Sequence, residues 1–177
     1  MTFRHPIHWA AAASLALCAT GAQAAEQSCM TPGQLADLVV VATPAALSVM
    51  RQQCGPAFAP DSPLRDAAGP LTAKYEAAAK EAWPRAKEAL IVASAGRASA
   101  DEKKRIGDAM TPAVVGTFMA PLVAKALTPA VCADADRVAT LLAPLPPANF
   151  GALVAALVEL GEKRGKGGNS PLHLCGA

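Results

Sequence analysis

Hydrolytic chemistry needs a nucleophile, a base and a group to orient that base, and this chain offers few residues of those types. Beyond residue 24 the single histidine is His173, close to the C-terminus. The segment Ala93-Ser94-Ala95-Gly96 comes nearest to a nucleophile elbow, but Val92 stands where Gly-x-Ser-x-Gly requires its first glycine. The run Gly165-Lys166-Gly167-Gly168 has no preceding strand and no clear following helix, so it lacks the frame of a phosphate cradle and reads as a flexible tail. Glu76, Glu81 and Glu88 are carboxylates of the kind that cleave glycosides, yet each lies near Lys or Arg on a hydrated helix face. A general acid there would lack the burial that raises its pKa. Metal ligation meets the same shortage, because histidine is scarce and no two cysteines stand as Cys-x-x-Cys. No metal and no cofactor are expected.

Two groups of residues are better suited to binding than to catalysis. Asp134, Asp136 and Arg137 interrupt an apolar stretch immediately after Cys132. Asp134 and Arg137, three residues apart on a helix, can pair locally, or the trio can form a polar recognition spot ringed by apolar surface. Trp83, with Tyr75 two turns earlier, can line an apolar groove or serve as ordinary core.

The elements that must position these residues are helical. Thr-Pro occurs at Thr31-Pro32, Thr43-Pro44, Thr111-Pro112 and Thr128-Pro129, each before an apolar run. Threonine caps a helix N-terminus, and proline suits the first helical position because its missing N–H would have had no partner there. Gln34 three residues after Thr31, and Glu102 three after Ser99, complete two capping boxes. The punctuation predicts helices over 32–42, 44–53, 70–95, 100–110, 112–127, 129–142 and 148–163, with Pro84 and Pro121 inside two of them. Along 70–95, Leu71, Tyr75, Ala78, Ala82, Ala86, Leu90 and Ala93 recur every three or four residues, opposite i,i+4 pairs Glu76/Lys80 and Glu81/Arg85. Helices 112–127 and 148–163 are apolar nearly all round and are expected at the centre. The fold class is therefore all-α, a compact bundle of six or seven short, proline-punctuated helices.

The N-terminus places this bundle in a compartment. Arg4, the short apolar run Trp9 to Ala19 and the small residues of Ala22-Gln23-Ala24 read as a cleaved signal peptide over residues 1–24. Lipid attachment at Cys18 is disfavoured by Leu17, where a lipobox has a small residue. Export leaves Cys29, Cys54, Cys132 and Cys175 in an oxidising compartment, where two disulfides are the default. Of the three pairings, Cys29 with Cys54 would span about 25 helical steps, roughly 37 Å, unless the chain reversed at Pro44. The spacing favours Cys54–Cys132 and Cys29–Cys175. The expected organisation is a signal peptide at 1–24, one helical domain at 25–163 and a Gly-rich tail at 164–177 pinned by Cys175.

Alanine makes up about a quarter of the chain and aromatic residues 4%, so the core is thin for its size. With 16 Lys+Arg against 14 Asp+Glu there is no dense basic footprint, and nucleic acid is not expected as a partner. After signal cleavage no membrane span is expected either: Lys125 and Glu159 end the two most apolar helices, and prolines break the stretch between 138 and 160. Together these features point to a periplasmic or secreted bacterial envelope protein that binds a partner protein or an apolar small molecule and is not an enzyme. The alternative is a periplasmic hydrolase built on carboxylates.

Overall fold

A computed structural model of the chain describes residues 29–95, 98–164 and 174–175. The N-terminal segment assigned to the signal peptide, His173 and the Gly165–Gly168 run lie outside the described residues. Six α-helices follow in order: α1 Pro32–Cys54, α2 Pro70–Ala95, α3 Ala100–Ala109, α4 Pro112–Ala126, α5 Pro129–Leu142 and α6 Pro147–Lys163, with a single 3₁₀ turn at Gly55–Ala57 after α1. The fold is all-α.

Local chemistry sets most of the helix starts. The hydroxyls of Thr31, Ser99, Thr111 and Thr128 accept the backbone N–H three residues on, and Gln34 and Glu102 return the bond to complete both capping boxes. Thr43-Pro44 departs from the pattern. It opens no helix but lies inside α1, where the Thr43 hydroxyl donates to the Val39 carbonyl at 2.7 Å. Proline removes one backbone bond there. Leu35, Leu38, Val41 and Ala42 before it and Leu47 after it are all buried, so continuing the helix keeps one apolar face in one core.

Helix α1 is the axis of the molecule, packed by α2, α4 and α6. This corrects the expectation that the two most apolar helices are central. Phe118 and Leu122 on α4, and Leu153, Leu157 and Leu160 on α6, are exposed, because each of these helices has α1 on one side only. Helix α1 with its following turn, Pro32–Ala57, also has the length and hydropathy of a membrane span. Three packed neighbours account for that composition in a core helix.

The core divides into two clusters. One joins Leu35, Leu38, Val40 and Val41 of α1 to Ala82, Ala86 and Ala89 of α2, Val115 of α4 and Ala155 of α6, with Trp83 packed at its edge. The other gathers Leu47, Cys54, Phe58, Leu64, Leu71, Tyr75 and Cys132. The buried stripe on α2 follows the predicted periodicity at Leu71, Tyr75, Ala82 and Ala86 and adds Ala79 and Ala89, but Ala78 and Leu90 are half-buried and Ala93 near the helix end is exposed. The charges opposite it are also arranged differently. Arg85 holds Asp37 of α1 through two bonds of 2.7 and 2.8 Å, and no ion pair joins it to Glu81 or Lys80 to Glu76 among the described residues.

Cys54 bonds Cys132 and Cys29 bonds Cys175, with Cα separations of 5.2 and 5.0 Å. The second bond ties the two ends of the described chain together. Met30 and Leu174 beside it are buried and form a parallel bridge, and the Cys175 N–H donates to the Met30 carbonyl at 3.0 Å.

Candidate functional site

An apolar cleft of about 390 Å³ opens where five helices meet. Val39, Ala42, Thr43, Ala46, Leu47 and Met50 form its wall on α1, an unbroken i, i+3, i+4 face that runs through Pro44. Leu71 and Tyr75 come from α2, Ala135, Val138 and Ala139 from α5, Phe150 and Val154 from α6, and Met119 from α4. Each pair or triplet obeys the same helical spacing. The cleft arises where four facing positions, Ala42, Ala46, Ala135 and Ala139, carry a single methyl group.

The lining is chemically quiet. Among the described residues, no charged side chain borders the cleft. The Thr43 hydroxyl donates to the Val39 carbonyl of its own helix. The Tyr75 ring meets Phe150 edge to face, centroids 5.8 Å apart at 83°, and burial pushes its phenol above the ordinary value, so it stays neutral. What the cleft can do is take apolar surface out of water.

Helix α5 closes one side and is held mainly by three polar or covalent ties. Cys132 is bonded to Cys54, the Asp136 carboxylate accepts the Ala59 N–H at 3.2 Å, and Lys74 of α2 donates to the carbonyls of Ala143 and Leu145 just past the helix end, the latter at 2.8 Å. Its apolar packing is slight by comparison: it touches α1 and the 3₁₀ turn, while Val131, Val138 and Leu141 remain exposed. Val138 both lines the cleft and is 48% exposed, so it marks the mouth.

Two further cavities flank this one. A groove of about 610 Å³ between α1, α2 and the start of α4 is larger, but Ser48, Gln52, Glu76 and Lys80 line it. A pocket of about 370 Å³ contains Asp61, Ser62, Asp66 and Lys74 and shares Leu71 and Ala143 with the apolar cleft.

Of the residues singled out from sequence, Tyr75 lines the cleft and Trp83 does not, being half-buried against the other core cluster. Asp134, Asp136 and Arg137 border none of these three cavities. Asp134 and Arg137 are exposed and no ion pair or hydrogen bond joins them. Asp136 tethers α5 to the loop after α1, with its second oxygen buried and lacking a hydrogen-bond partner among the described residues. The α1 wall is hidden in the sequence because Thr43-Pro44 carries a helix-start signal that cuts its stripe in two. Compared with known protein families, curated protein sequences and solved structures, the chain has no match.

Proposed function

We propose that this is an exported, non-enzymatic binding protein of the bacterial envelope, working in the periplasm or outside the cell, whose ligand is an apolar small molecule held in the cleft beneath α5. The observation that carries this reading is the cleft itself: its 390 Å³ falls within the roughly 300–1,000 Å³ of small-molecule sites, and its lining is apolar. Two disulfides and the apolar N-terminal segment fit export. The hydrolase alternative requires carboxylates converging in a desolvated site, and the two that share a cavity, Asp61 and Asp66, are exposed.

Titration with N-phenyl-1-naphthylamine, an uncharged apolar fluorophore, tests the reading. The wild-type protein should give saturable binding near one probe per chain. Ala139→Trp, which fills the cleft, and Val138→Trp, which blocks its mouth at an exposed position, should abolish the signal while helical circular dichroism is unchanged. Absence of saturation, or wild-type binding by both variants, overturns it.

A second reading, docking of a partner protein, rests on Phe118 and Leu122, 71% and 62% exposed on α4. It requires that Phe118→Ser with Leu122→Ser abolish capture of a periplasmic partner while probe binding persists.

A further inference from the structure

The apolar cleft and the Asp61–Asp66–Lys74 pocket meet at Leu71 and Ala143, so a molecule longer than the cleft enters a polar compartment at that boundary. We infer that the ligand is an amphiphile whose hydrocarbon chain occupies the cleft and whose polar end, a hydrogen-bond donor without negative charge, occupies this pocket. The inference rests on the cleft being the binding site.

The chemistry of the pocket selects the head. Lys74 is the cation in it, and two of its three N–H donors are already given to the carbonyls of Ala143 and Leu145. The carboxylates are less engaged. One Asp66 oxygen accepts the Ala68 N–H at 2.8 Å, while the other, and both oxygens of Asp61, have no hydrogen-bond donor among the described residues. The buried Ser62 oxygen accepts from the Leu64 N–H. The compartment thus holds two negative charges against one positive and an excess of acceptors. A hydroxyl or amino head finds acceptors there, whereas a carboxylate or phosphate head meets a net negative compartment.

Competition against the fluorophore separates this inference from the reading beneath it. Decanol and decanoate, equal in chain length, are titrated below their aggregation concentrations at neutral pH into the wild-type protein and into Asp61→Asn/Asp66→Asn. Both replacements are at exposed positions, and asparagine keeps the oxygen that accepts from Ala68. Decanol should displace the probe at about a tenfold lower concentration than decanoate, the scale of one net charge acting through partly hydrated protein. The double variant should close most of that gap by improving decanoate alone. Equal displacement by both compounds, or a gap that the variant leaves intact, overturns the inference and leaves the cleft standing. Failure of the fluorophore to bind, or of both compounds to displace it, removes the cleft reading and the inference with it.

Discussion

At Gly151, α6 lies close against the backbone of α1, and substituting it gives a quantitative test of the packing that frames the cleft. A Cβ built on Gly151 would lie 2.5 Å from the Ala36 carbonyl oxygen and 3.0 Å from Val40 Cγ2. The first contact is with main chain, which cannot rotate aside as a side-chain tip does. Gly151→Ala therefore forces α6 away from α1, and a gap of about 0.5–1 Å forfeits a quarter to a half of each dispersion contact along the seam, including those of the buried Ala155 one turn on. Overpacking of this kind costs about 1–3 kcal/mol, offset by the ~0.5–1 kcal/mol gained when alanine replaces glycine in a helix. A net loss of about 1–2 kcal/mol is expected. Gly161, on the same helix, has nothing within 4 Å of a built Cβ, so Gly161→Ala should collect the helix gain alone, about 0.5–1 kcal/mol of stabilisation. Urea unfolding followed by circular dichroism gives both values, and the thermal midpoints should move in opposite directions by about 2–4 °C per kcal/mol for a chain of this size. If Gly151→Ala is as stable as Gly161→Ala, α6 does not lie against α1 at this distance and the α6 wall of the cleft is misplaced.

Titration of the denatured, unreduced protein with a thiol reagent should find no free thiol from Cys29, Cys54, Cys132 or Cys175, and Cys54→Ser/Cys132→Ser should lose about 2–4 kcal/mol with hydrogen exchange accelerating first in α5. Asp136→Ala frees the Ala59 N–H and should cost about 1 kcal/mol, whereas Asp134→Ala, at an exposed and unpaired position, should leave the urea midpoint within error. The Ser99 backbone N–H and hydroxyl hold the Glu102 carboxyl below its ordinary value, so its contribution to stability is present above the usual carboxylate range and lost as pH falls through the lowered value; Glu102→Gln should flatten that acid limb of the stability curve. Sequencing of the protein recovered from the periplasm should begin at or next to Ala25, and an intact Met1 on a functional product would refute export.

Much of this architecture is decided within three or four residues along the chain. Thr31, Ser99, Thr111 and Thr128 cap helices because the groups they satisfy are their own near neighbours, and α2 buries Leu71, Tyr75, Ala82 and Ala86 of the stripe its spacing announces. Helical rise argued against Cys29–Cys54 and so for long-range disulfides, but of the two long-range pairings that remained, the fold selects Cys54–Cys132 and Cys29–Cys175. Tertiary structure decided the rest. Thr43-Pro44 carries the same local signal as the true caps, and only the single core shared by Leu35 to Leu47 keeps α1 whole through it. Arg85 has Glu81 four residues back, but Asp37, 48 positions away, is the carboxylate it binds once α1 and α2 are packed. Helices α1, α4 and α6 are all strongly apolar, and which one is surrounded depends on which has partners on several sides, a property no single segment contains. The cleft is the extreme case. It is made of volume that alanines on α1 and α5 fail to fill, and such a void exists only after those helices face each other.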